Sequence, residues 1–417
     1  MNLRMASLLR SHFCFNQLKF FMTTSIIISL CGLLLFAYIF DVSSARTKIP
    51  SVILLLFLGW GVKQVATFFK IDIPNLTSVL PILGTIGLIL IVLEGSLELE
   101  LTKSKLPFVR KSSIIAFLPI IIISFTLAYF IHYYSGIDYK SALSNAIPLA
   151  IISSSIAIPT AQNLISKNKE FITYESSMSD IFGVILFNFI TFNDYFSVES
   201  VGLFIGQIIL IIIITFIATL GLAFLLSKIK HPVKFAPIIL LVILIYEISK
   251  IYNLPALVFI LLFGIFLGNL DELKHIKFIQ RLRPEILTNE VHKFKDLTAE
   301  MAFLIRALFF ILFGFLIQTS EIINPDTIIW ALGITGGIFI IRFILLKAFK
   351  VAINPLLFIA PRGLITILLF LSIPMHLVSP LVNNSLIIQV IVLTALVMMM
   401  GLLFNKRETK LTTEHKQ

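Results

Sequence analysis

Residues 141–165 read SALSNAIPLAIISSSIAIPTAQNLI, and how that run crosses a membrane decides the fold. It is long and apolar enough to span a bilayer, since about 20 helical residues cover a hydrocarbon core of about 30 Å. Three consecutive serines, Ser153, Ser154 and Ser155, lie midway, and Pro159 follows. Proline removes a backbone donor and breaks the helical ladder, while nearby hydroxyls can satisfy or exploit the groups set free. The run reads as an interrupted membrane helix.

The rest of the chain supports that setting. With 58% hydrophobic and 13% charged residues and a mean hydropathy of +1.02, the composition is that of an all-α polytopic membrane protein. Hydropathy gives thirteen spans: 21–40, 50–69, 77–98, 112–133, 142–165, 171–192, 200–227, 235–251, 254–270, 299–319, 326–346, 355–373 and 384–404. The first is read as a retained helix, because about 20 apolar residues exceed the h-region of a cleaved signal peptide. Loop Lys and Arg favour the side after odd-numbered spans by roughly four to one, and positive charge stays in the cytoplasm. The expected topology therefore has a tail at 1–20 outside and a short tail at 405–417 in the cytoplasm. That distribution explains the basic balance without nucleic acid as a partner.

Several chemistries are absent from the sequence. Cys14 and Cys31 build no disulfide framework or metal site, and no His/Cys cluster exists. There is no Gly-x-Ser-x-Gly elbow, no His-Glu-x-x-His, and no second membrane aspartate for an aspartyl dyad. The chain is not expected to be an enzyme or to need a cofactor.

Ionisable residues at membrane depth are costly, so they pair, face a wet cavity, or carry an ion. The bases within spans are Lys63, Arg306, Arg342 and Arg362, and the clear acids are Glu94, Glu175, Asp180 and Glu247. Asp180 lies in YESSMSDIFGVILF (174–187), about 14 Å along the helix from Phe171 and so near the midplane. Ser176, Asp180, Gly183 and Phe187 share one stripe, with Ser179 alongside. Glu175 points elsewhere, which assigns it to an intramembrane arginine and leaves Asp180 as the working group. Lys63 and Glu94 are expected to pair as a structural contact.

A second interruption falls in PLLFIAPRGLITILLF (355–370), at Pro361, Arg362 and Gly363. Spans five and twelve correspond if spans 1–6 and 8–13 are two six-helix halves, an inverted repeat with two broken, crossing helices. Broken helices at matching positions mark the binding site of a transporter.

At this point the chain resembles the monovalent cation/proton antiporter superfamily, the sodium/proton exchangers and their relatives, over roughly 50–400. IVLEGSLELEL (91–101) is similar to the family's third-helix LEGLEL stretch. AIISSSIAIPTAQ (150–162) is similar to its unwound helix, and YESSMSDIFGVILF to its ESLxND helix, with Asp180 on the ion-binding aspartate. FFILFGFLI (309–317), IIRFILL (340–346) and APRGLIT (360–366) follow in the family's order. The departures are Ile156, where one branch carries aspartate, and Ser179-Asp180 in place of Asn-Asp or Asp-Asp.

The resemblance implies a secondary antiporter in which Na⁺ or K⁺ competes with protons at Asp180. With one carboxylate, the exchange is expected to be electroneutral. Hydroxyls of Ser154, Ser155, Ser176 and Ser179 are the candidate ligands that complete an oxygen shell. Arg342 falls on the family's basic residue and is expected to pair with Glu175; Arg306 is the second candidate. Arg362 stands where it can neutralise carbonyl ends at the second break.

The expected organisation is an antiporter domain over 21–404, with core helices at 112–192 and 326–404 and scaffold helices at 21–98 and 200–319. A homodimer in a bacterial inner membrane, in contact with lipid and monovalent cations, completes the expectation. The alternatives are a sodium-coupled symporter of an organic anion on the same fold and, less favoured, a channel.

Overall fold

In hydrocarbon, an apolar run satisfies its backbone polar groups by winding into an α-helix. The computed structural model describes residues 24, 27–44, 47, 49–71, 76–99, 105–162, 164–193, 198–228, 233–252, 254–270 and 284–404, and among them it contains helices and turns but no strand. In chain order the helices are α1 (Ile27–Ser44), α2 (Ser51–Phe68), α3 (Val79–Leu97), α4 (Leu106–Ser135), α5 (Tyr139–Ala150) and α6 (Ser154–Ala161). There follow α7 (Ser166–Phe192), α8 (Val198–Lys228), α9 (Phe235–Ile251), α10 (Ala256–Gly268) and α11 (Pro284–Leu316). The last are α12 (Thr319–Ile322), α13 (Pro325–Ala348), α14 (Leu364–Leu371) and α15 (Asn384–Phe404). The expected tails at 1–20 and 405–417 lie outside the described residues.

The outer helices present apolar side chains to the surroundings. Ile28, Leu35 and Phe36 on α1 and Leu203, Phe216 and Ile217 on α8 are exposed. Continuous apolar surface of this kind suits lipid and not water. Inside, α5 and α6 are wrapped by α3, α4, α7 and α14, and all but their ends are buried.

Helix edges follow the hydropathy spans with two exceptions. α11 starts at Pro284, well before the apolar run at 299, because Val291 and Phe294 bury one face of this more polar extension. The twelfth span was expected to be helical on both sides of its break. Instead residues 354–358 form turns, 359–363 have no regular secondary structure, and only α14 is helical. Pro355 and Pro361 bound the first half, and the residue before each proline is pushed out of the α region, so only about one turn's length remains between them, too little for a stable helix.

The fifth span is interrupted as the serines suggest. α5 ends at Ala150, residues 151–153 are extended, and α6 begins at Ser154. Pro159 lies inside α6, six residues past the gap's last residue, Ser153, and not at the gap itself. The two interruptions meet: the Ser153 N–H donates to the Pro361 carbonyl at 2.9 Å.

Candidate functional site

α7 brings its acid to this meeting point. Thr173, Ser177, Asp180 and Val184, spaced four, three and four, form a stripe along the helix. Asp180 is 2% exposed. Its Oδ2 accepts a hydrogen bond from the hydroxyl of Ser154, the first residue of α6, and the Ser154 backbone N–H also bears on the carboxylate. Negative charge at a helix N-terminus is favoured by the aligned peptide dipoles. Oδ1 is buried without a hydrogen-bond partner among the described residues. The close approach of α7 to the gap depends on Gly183, where a Cβ would overlap the Ile151 side chain.

The other serines divide their work. The Ser179 hydroxyl accepts from the Ile152 N–H at 2.9 Å, satisfying a donor that the gap sets free. Ser153 and Ser155 share a hydrogen bond at 2.8 Å. Ser176 donates to the Ile172 carbonyl of its own helix at 2.7 Å. Of the four hydroxyls singled out by sequence, therefore, Ser154 touches Asp180 directly, while Ser155, Ser176 and Ser179 have other partners.

Two arginines hold the surrounding segments. Arg342 on α13 donates to both oxygens of Glu175, Nη1 to Oε1 at 2.6 Å and Nη2 to Oε2 at 2.9 Å. Its Nε and Nη2 also reach the Leu356 carbonyl at 3.0 and 2.8 Å. Arg362 caps the C-terminal end of α5, with Nε on the Leu149 carbonyl at 2.9 Å and Nη2 on that of Ala150 at 3.0 Å. Its Nη1 donates to Ala360 at 2.7 Å. A cation at a helix C-terminus offsets the negative end of the dipole.

Arg306, the second basic candidate, lies away from this group and is the charge acting most strongly on Glu94. Lys63 does not pair with Glu94 as expected. It reaches past the end of α11 to the carbonyls of Leu316 and Ile317, at 3.4 and 2.9 Å, where unpaired helix-end carbonyls attract a cation.

Cavities flank Asp180 along its own helix. Toward the α7 C-terminus, a cavity of about 350 Å³ is lined by Thr85, Leu88, Val184, Asn188, Thr191 and Lys250, among others. Toward the α7 N-terminus, one of about 270 Å³ is lined by Glu98, Lys169, Glu170, Thr173, Tyr174 and Lys295, among others. Val184 is one turn from Asp180 and Thr173 about two turns in the other direction. A buried carboxylate with a free oxygen and no cationic partner can take a proton or a small cation, and either one neutralises it.

Some polar contacts carried no sequence signal. Thr394 Oγ1 accepts from the Arg362 N–H at 3.1 Å, and Asn145 binds the Leu377 carbonyl and the Ser379 N–H at 2.7 and 3.2 Å. Such long-range side-chain-to-backbone bonds leave no periodic trace. Ser177 is different. It lies three residues before Asp180, and helical spacing alone placed it as near as Ser176.

Comparison with known proteins adds three findings. The family model described as "Sodium/hydrogen exchanger, transmembrane" matches residues 31–405. A structure of the sodium proton antiporter MjNhaP1 from Methanocaldococcus jannaschii at pH 8 superposes with a TM-score of 0.64 at 18% identity, covering 91% of this chain and 98% of that one. An electron-microscopy map of the same antiporter gives a TM-score of 0.62 at 19% identity, covering 91% and 95%. At these identities the likeness speaks for the fold. No curated protein matches the chain by sequence.

Proposed function

As this chain belongs to the sodium/hydrogen exchanger family, we propose that it exchanges Na⁺ or K⁺ for protons by competition at Asp180. The observation that carries this reading is the single carboxylate itself. It is buried where the two interrupted spans meet, has no cationic partner and one unpaired oxygen among the described residues, and lies between two cavities. Proton and cation each neutralise that charge, so binding of one excludes the other. One site that accepts one charge of either kind makes the exchange one-for-one and electroneutral. MjNhaP1 is described as a sodium proton antiporter, which supports Na⁺ as a substrate.

In this reading the N-terminus is outside and the C-terminus cytoplasmic. The cavity at the α7 N-terminus then opens to the cytoplasm and that near Asn188 to the outside. The core helices, 112–192 and 326–404, move against a scaffold of 21–98 and 200–319 through which two copies dimerise in a bacterial inner membrane. Arg362 and the α6 N-terminus keep the charges at the breaks balanced as the core moves.

Purified protein in liposomes containing a pH-sensitive dye tests the reading. Addition of NaCl, KCl or LiCl to vesicles with an imposed proton gradient is expected to dissipate it, whereas choline chloride leaves it intact. If no alkali cation moves protons, the proposal fails.

A further inference from the structure

We infer that the hydroxyl of Ser177 is a ligand of the transported cation, on the α7 N-terminal side of Asp180. The inference rests on the reading of Asp180 as the exchange site and extends it to a residue outside the expected set.

Five serines around the gap have hydrogen-bond partners. Ser154 donates to Asp180, Ser153 and Ser155 bond each other, Ser176 bonds the Ile172 carbonyl, and Ser179 receives the Ile152 N–H. Ser177 is 2% exposed, and its Oγ is buried with no hydrogen-bond partner among the described residues. Asp180 Oδ1 is in the same condition. Nine in ten or more buried polar groups find a partner, and an unpaired one is disfavoured by about 1–3 kcal/mol. Here two unpaired oxygens lie three residues apart on one helix, which makes their side chains neighbours.

The surroundings favour a ligand over an accident of packing. Ser177 Oγ faces Gly95 on α3: a Cβ added there would stand 3.1 Å from this oxygen and 3.3 Å from Ile158 Cδ1 on α6. The absence of a side chain at Gly95 leaves room for the hydroxyl at the junction of three helices. Ser177 also lies between Asp180 and Thr173, which lines the cavity toward the α7 N-terminus. A cation moving between that cavity and Asp180 therefore meets this oxygen beside the carboxylate. A serine hydroxyl has two lone pairs, and hard cations take oxygen ligands.

Ser177→Ala, Asp180→Asn and the unaltered protein are compared in liposomes for half-saturating Na⁺, K⁺ and Li⁺. Their thermal unfolding in detergent is followed with and without each cation. Ser177→Ala is expected to raise the half-saturating concentration of the transported cation about tenfold, the size of one charge-assisted contact. The saturated rate should change little. Stabilisation by cation should need correspondingly more salt. The cation-free unfolding temperature should not fall, since only an unpaired hydroxyl is removed.

A wild-type half-saturation for every cation overturns the inference, and so does a lower cation-free unfolding temperature or failure to insert, either of which marks a structural partner. If Asp180→Asn abolishes exchange while Ser177→Ala behaves as wild type, Ser177 alone is excluded. If Asp180→Asn still exchanges, the reading of the site fails first and the Ser177 assignment falls with it.

Discussion

The carboxylate of Glu175 and the guanidinium of Arg342 meet in a two-point ion pair, at 2.6 and 2.9 Å, with both side chains buried. Because Arg342 also holds the Leu356 carbonyl, the pair ties α7 to α13 and to the turns before the second break. Removing one member strands the other as an uncompensated buried charge, which costs about 3–5 kcal/mol. Glu175→Gln and Arg342→Ala are each expected to lower the unfolding temperature and the yield of inserted protein. Fluorescence-detected thermal unfolding in detergent checks this, and wild-type stability in both variants would refute a structural role.

Arg362 is a second support of the same region. Arg362→Ala leaves the carbonyls of Leu149, Ala150 and Ala360 without the donors they now have, at about 1–3 kcal/mol for each buried group left unpaired. A large loss of thermal stability is expected. Arg362→Lys should recover only part of it, because an ammonium lacks the planar fork that reaches three carbonyls at once. Full rescue by lysine would mean that charge alone matters at this position.

Ser179 gives a finer test. Its hydroxyl accepts from the Ile152 N–H inside the gap, so Ser179→Ala leaves a buried donor unpaired. The expected result is a fall in cation-free stability of about 1–3 kcal/mol, measured by thermal unfolding. An unchanged unfolding temperature would mean that the gap finds another acceptor. The contrast with Ser177, whose hydroxyl has no partner among the described residues, separates the two serines by one measurement.

These contacts show which parts of the molecule the sequence made legible. Most apolar runs announced a helix because in lipid the backbone has few alternatives. The gap in the fifth span was marked by Ser153, Ser154 and Ser155, though its location at 151–153, upstream of Pro159, was not. Glu175 pointed to an intramembrane arginine because a buried carboxylate demands a partner, and Arg342 is the residue it meets. The lost half-helix at 354–358 follows from two closely spaced prolines, a local rule that span-length hydropathy ignores. Lys63 was misread because helix-end carbonyls attract a cation as a carboxylate does, and a linear sequence does not reveal which is nearer. Among the serines, sequence supplied the candidates, but only packing distinguishes a hydroxyl engaged with backbone from one left free.

Asp138 supplies a pH-dependent prediction outside the membrane-spanning segments. It caps α5, with Oδ1 accepting from the Ser141 hydroxyl at 2.6 Å and Oδ2 from its N–H at 3.0 Å. The Ser141 hydroxyl is the main cause holding this carboxyl below its ordinary value of 3.8. Since the folded value lies lower, the contribution to stability is complete above 3.8 and disappears as pH falls through the folded value. Asp138→Asn keeps a competent cap but does not titrate. As pH falls below 3.8, the unaltered protein should therefore lose more stability than this variant. Parallel pH profiles would contradict the assignment.

The account turns on whether one carboxylate is shared in turn by protons and alkali cations. The most direct measurement is cation-driven proton movement in everted vesicles carrying equal amounts of inserted wild-type and Asp180→Asn protein. Addition of Na⁺ or K⁺ is expected to release protons from wild-type vesicles and to produce no response with Asp180→Asn, although the variant remains folded. Cation-driven proton release that persists in the variant would contradict the central claim.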